Sequence, residues 1–102
     1  MNAQLKKGIL EICILEIIAR EDTYGYPLMQ EMKNHFPKMD ESTIYSILRR
    51  LCKDGYTETY IGKESFGPSR KYYHITDSGR TALIQMHKEW DEIKKIVDDI
   101  RG

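Results

Sequence analysis

Residues 40–51, DESTIYSILRRL, bring three hydroxyls, a tyrosine and two arginines into one short stretch. At about 100° per residue, Ile44, Ile47, Leu48 and Leu51 fall on one helix face. Ser42, Tyr45, Ser46, Arg49 and Lys53 fall on the opposite face, with Thr43 beside them and Arg50 at the edge. These side chains make no reaction centre, but they are equipped to recognise. Hydroxyls donate to phosphate oxygens, tyrosine reaches a phosphate or packs on a sugar, and arginine pairs bidentately with guanine. A solvated helix face would carry the same residue types, so the stretch alone leaves both readings open.

Catalytic chemistry is not indicated. The chain has no C-x-x-C, no H-E-x-x-H, no G-x-S-x-G and no phosphate-cradling glycine loop. His35, His74 and His87 fall on three different predicted elements without ligand spacing. No enzyme activity, cofactor or bound metal is expected. A metal sensor would require Cys13 or Cys52 to meet a histidine across a dimer. Each cysteine lies among aliphatic residues on a helical pattern, where a buried reduced thiol is the simpler expectation.

The elements that must position these residues follow from the hydrophobic pattern. A chain of 102 residues builds one core, and 16 basic against 16 acidic residues leave no net charge. That balance argues against a binder driven by charge alone. The balance is local, however. Arg49, Arg50, Lys53, Lys63, Arg70 and Lys71 outnumber Glu41, Asp54, Glu58 and Glu64 within residues 41–75. Residues 5–20 read as a helix that is apolar nearly all round, which implies packing on its own domain and on something more. Glu11 and Glu16 interrupt that run, so it resembles neither a signal peptide nor a membrane span, and a cytoplasmic protein is expected.

Pro27 suits the first turn of a second helix whose inner stripe is Leu28, Met32 and Phe36, ended by Pro37. Asp40 or Ser42 caps the third helix and Gly55 stops it. YTETYI (56–61) and RKYYHI (70–75) read as two strands around the loop GKESFGPS, and Thr76 caps a long last helix. The fold class expected is α+β, mostly α: a winged helix-turn-helix with a long C-terminal dimerisation helix. Residues 1–76 would form the winged-helix domain and 77–102 the dimerisation helix.

Three stretches in this order, YGYPL (24–28), STIYSILRRLCKDGY (42–56) and SRKYYHITDSGR (69–80), resemble the PadR family of bacterial transcriptional regulators. The closer likeness is to the short subfamily with a single C-terminal helix. The resemblance implies a homodimeric winged-helix regulator, more often a repressor than an activator, that binds double-stranded DNA at an inverted repeat. Its DNA contacts would come from Ser42, Thr43, Tyr45, Ser46, Arg49, Arg50 and Lys53, with Lys63, Arg70 and Lys71 in the wing. Pro27 and the acidic Glu64 depart from the family pattern.

In the last helix, Leu83, Met86, Trp90, Ile93, Val97 and Ile100 step by three and four residues, forming a short heptad seam suited to a dimer interface. Trp90 either fills that interface or, as in relatives with a similarly placed aromatic, stacks a small planar hydrophobic or cationic ligand between two subunits. His87, Lys94, Leu5, Gly8, Glu11 and Ile12 would then share the wall. The competing function is a winged helix used as a protein-interaction module.

Overall fold

The computed structural model describes residues 3–63 and 67–102, with backbone alone for residues 3–6. Leu5, in its side chain, and Glu64 therefore lie outside the described residues. The chain runs α1 (Ala3–Arg20), β1 (Thr23–Tyr24), α2 (Gly25–His35), α3 (Glu41–Lys53), β2 (Thr57–Lys63), β3 (Ser69–Ile75) and α4 (Asp77–Arg101). The expected order holds with one correction. The segment REDTYGYP contains a short strand, and the sheet has three strands in the antiparallel order β1-β3-β2. Two residues are too few to show the alternation that marks a strand.

α1 feeds the core along much of its circumference. Leu10, Ile14, Leu15 and Ile18 are essentially inaccessible, and they meet Leu28 and Met32 of α2 and Ile44, Leu48 and Leu51 of α3. Burying each such aliphatic side chain contributes roughly 1.5–3 kcal/mol. The predicted inner face of α3 is the observed one; in α2, Leu28 and Met32 are buried as expected and Met29 joins them, while Phe36 caps the helix end and is only partly covered.

α3 ends where Gly55 adopts φ +79°, a conformation glycine reaches without strain. The Gly55 amide donates to the Cys52 carbonyl and the Tyr56 amide to the Leu51 carbonyl, at 3.1 and 2.9 Å, a Schellman closure. The hairpin then pairs Thr57 with Ile75 at its base and Lys63 with Ser69 near its tip. Thr76 caps α4 as expected, its Oγ1 accepting from the Gly79 amide at 3.0 Å. The same hydroxyl donates to the Gly55 carbonyl at 2.6 Å. The helix therefore starts against the turn that ends α3.

α4 divides into two halves. Leu83 is buried in the core shared with α1 and β3, and Met86 packs against it. Past that point the helix leaves the body: Trp90 is 40% exposed, Ile100 81%, and Ile93, Ile96 and Val97 are exposed between them. α4 begins at Asp77, just past the Thr76 turn, and its first turns belong to the same packed unit as the preceding elements.

A Cβ added at Gly79 would lie 2.0 Å from the Tyr56 carbonyl oxygen, a backbone atom with no room to move. Gly79→Ala is therefore expected to destabilise the fold by at least about 2 kcal/mol, read as a lower denaturation midpoint in urea. An unchanged midpoint would show that α4 can lift off the α3 exit at no cost.

Candidate nucleic-acid interface

α3 is held by one apolar face, so its other face is presented outward. Ser42, Tyr45, Ser46, Arg49 and Lys53 are exposed along it, and Thr43 is partly covered. Arg50 behaves differently. Its guanidinium turns back to α1, where Nη2 lies 3.2 Å from Glu11 Oε2, and the two side chains are 29% and 21% exposed. The structure thus separates Arg50 from the outward strip with which the sequence grouped it.

On each flank of that strip is a concavity. The one toward the wing, about 550 Å3, is bordered by Tyr24, Gly25, Tyr26, Tyr45, Arg49, Arg70, Lys71 and Tyr73. It joins the α2 start, α3 and β3, bringing three predicted cations to one place. Aromatic rings support two of them: the Arg70 guanidinium lies 5.5 Å from the Tyr24 ring centre, and the Lys71 ammonium 5.7 Å from that of Tyr73. Tyr73 itself is buried, and burial raises its phenol pKa. Lys63 is exposed at the end of β2, near the hairpin tip. The second concavity, about 530 Å3, lies toward α1 and is bordered by Lys7, Leu10, Ser42, Thr43, Ser46, Ile47 and Arg50.

The wing is tied to the body by a cluster that sequence reasoning missed. The Tyr60 hydroxyl on β2 donates to Asp22 Oδ2 at 2.6 Å, and His74 Nδ1 on β3 lies 2.8 Å from Asp22 Oδ1. One carboxylate, in the turn before β1, thus holds both hairpin strands. Tyr72 stacks on Tyr60 at 5.5 Å and meets Tyr24 edge-on at 5.4 Å, continuing the link. Tyr24, Gly25 and Tyr26 also escaped notice as neighbours of the α3 strip; their signal was the aromatic-glycine segment itself, which borders α3 only in three dimensions. His74, which the sequence shows only without ligand spacing, is a hydrogen-bonding residue of this cluster.

The expected ligand wall is partly assembled. Gly8, Glu11, Ile12 and Trp90 line a groove of about 400 Å3 between α1 and α4, together with Ile9, Met86, Glu89 and Ile93. His87 turns to Glu16 instead, at 2.8 Å, and Lys94 is exposed on the protruding half of α4. Cys13 and Cys52 are unbridged and half-buried; burial, with Glu16 nearby, raises the Cys13 thiol pKa. Among the described residues no group of His, Cys, Asp and Glu could hold a metal ion, and no helix is long and apolar enough to cross a membrane.

A helical pair that presents an outward third helix, followed by a hairpin with cations beside it, defines a winged helix-turn-helix protein. The chain belongs to the transcriptional regulator PadR-like family, whose sequence pattern matches residues 14–85. Members are DNA-binding transcriptional regulators rather than enzymes, and this chain shares that function class. A Lysinibacillus sphaericus protein is 38% identical over 101 residues, covering 96% of this chain and 93% of its own length. The crystal structure of a PadR-like transcriptional regulator from Bacillus cereus superposes with a TM-score of 0.88 at 39% identity, covering 98% of both chains. That of a Streptococcus transcriptional regulator gives 0.91 at 30% identity, covering 99% and 100%.

The Asp22 cluster has a pH signature. The Tyr60 hydrogen bond, above all, holds the Asp22 carboxyl below its ordinary pKa, and His74 adds to that. The Asp22 carboxylate in turn pushes the Tyr60 phenol up to about 12. Stability from Asp22 is present above its unfolded pKa and is lost as pH falls through the lower folded value. Stability from Tyr60 is complete below its unfolded pKa and is lost as pH rises through about 12. NMR titration of the Tyr60 ring should show that value, and Asp22→Asn should return it to the ordinary phenol range. An ordinary Tyr60 titration in the wild type would remove the anchor.

Proposed function

We propose that the chain is a homodimeric, sequence-specific repressor that reads an inverted repeat by placing α3 in the major groove of each half-site. The observation that carries this reading is the outward strip of Ser42, Ser46, Arg49 and Lys53, flanked by a concavity in which Arg49, Arg70 and Lys71 converge. Hydroxyls at the start of the helix suit phosphates, and an arginine further along suits a guanine edge. Lys63, Arg70 and Lys71 on the hairpin suit the neighbouring backbone. A protein-interaction module has no need of cations gathered on this one face, and that favours DNA over the competing reading.

The dimer reading rests on α4. Trp90, Ile93, Ile96, Val97 and Ile100 form an exposed apolar stripe along α4 beside the Trp90 groove, and a contiguous exposed apolar patch is a mark of an interaction surface. A two-fold pairing would cover it and set two α3 helices about one helical turn of DNA apart. The groove would then lie at the subunit interface, where Trp90 offers a stacking surface and Glu11 and Glu89 favour a planar cation. Such a ligand would release DNA only by binding better to a spacing that does not fit the operator.

Arg49→Ala is expected to cost about 1–3 kcal/mol on the specific site, while Lys71→Ala weakens all sequences alike and lowers the salt slope by about one. Unchanged binding by both variants at moderate salt would end the assignment of α3. Ile93→Glu places a charge in the seam and should sediment as a monomer with reduced DNA affinity, whereas the wild type sediments as a dimer at micromolar concentration. A flat aromatic cation should quench Trp90 emission in the wild type and lower operator affinity. A monomeric wild type would rule out the dimer, and an unquenched Trp90 the ligand.

A further inference from the structure

We propose that the concavity between α1 and α3 is a second seat for a DNA backbone phosphate, with Lys7 and Arg50 as its cations and Glu11 as the positioning residue that restrains Arg50. This deepens the reading of α3 as the groove-entering helix and depends on it.

The pocket brings together two cations from different helices, Lys7 and Arg50, with three hydroxyl donors, Ser42, Thr43 and Ser46. A phosphodiester offers acceptor oxygens and one negative charge, which is what this set of donors is able to satisfy. A helix lying in the major groove has a phosphate wall on either side. The wing-side concavity, with Arg49, Arg70 and Lys71, answers one wall. The α1 side answers the other, because at about 100° per residue Ser46, Arg50 and Thr43 turn progressively from the crest of the outward face, where Ser42 sits, toward the flank away from Tyr45. Lys7 supplies a contact that α3 itself does not carry, and it is exposed. The acid in the first turn of α3, Glu41, is engaged by Lys33 at 3.1 Å.

Glu11 gives the seat a restraint. Its Oε2 lies 3.2 Å from Arg50 Nη2, yet Nη2 is wholly buried and has no hydrogen-bond partner among the described residues. The pair is close enough for charge attraction but too bent for a directional bond. An arginine held by charge alone can be drawn to a second anion, so an arriving phosphate competes with Glu11 for Arg50. Removing the Glu11 charge while keeping its shape should therefore strengthen DNA binding, the opposite of what loss of a purely structural pair would do.

The test is the salt dependence of binding of the full chain to a random-sequence duplex. Lys7→Ala, folded as judged by circular dichroism, should lower the slope by about one contact. Its affinity gain between 1 M and 0.1 M salt then shrinks roughly eightfold. Glu11→Gln should raise the slope by about one, and adding Arg50→Gln in that background should abolish the gain. If Lys71→Ala lowers the slope while Lys7→Ala and Glu11→Gln keep the wild-type value, the seat is overturned and the reading of α3 stands. If Lys71→Ala is also silent, the reading beneath it fails. Inorganic phosphate and chloride at matched ionic strength should displace the duplex equally. Stronger displacement by phosphate, lost in Lys7→Ala, would overturn the backbone assignment in favour of free phosphate.

Discussion

The carbonyls of Gly55 and Tyr56 meet Thr76 and the start of α4 at one crossing of the chain, and every other placement is measured from there. The Thr76 hydroxyl donates to Gly55 O and accepts from Gly79 N, while the Thr76 amide donates to Tyr56 O at 3.0 Å. Three elements are joined by these bonds: the end of α3, the base of the hairpin and the first turn of α4. Each bond contributes only about 0.5–1.5 kcal/mol net, but together they leave no independent hinge between α3 and the wing. Asp22 fixes the hairpin a second time, from the body side. The spacing between Arg49 on α3 and Lys71 on β3 is thereby built into the fold before any nucleic acid arrives.

The second constraint is where apolar surface ends up. α1 is a helix with few solvated positions: one side closes the core through Leu10, Ile14, Leu15 and Ile18, while Gly8, Ile9 and Ile12 border the groove below Trp90. α4 extends that groove into an exposed stripe instead of folding down to cover it. The stripe supports the two-fold assembly proposed above, because covering it is worth roughly 25 cal/mol for each Å2 removed from water. Glu11 lies between the two regions, bordering the groove while facing Arg50 on the side of α3.

Much of this was legible in the sequence, and the reasons are local. The inner face of α3, the Gly55 stop and the Thr76 cap depend on residues a few positions apart, so periodicity and cap chemistry reveal them. Arg50 was not legible in the same way: helix periodicity puts it at an edge, and its partner Glu11 sits on another helix. The Asp22 anchor pairs residues 38 and 52 positions apart, beyond any local signal. The seam in α4 was visible as a heptad, but spacing cannot tell a residue buried in its own domain, as Leu83 is, from one left outside, as Ile100 is.

The central claim is that the outward face of α3 and the adjoining wing meet duplex DNA. Amide chemical-shift mapping of the full chain with a duplex at low salt tests it most directly. Perturbations should gather on Ser42, Tyr45, Ser46, Arg49 and Lys53 and on Lys63, Arg70 and Lys71, leaving the exposed half of α4 unmoved. Perturbations confined to α4 around Trp90 and Ile93, or none at a duplex concentration that saturates binding, would contradict it.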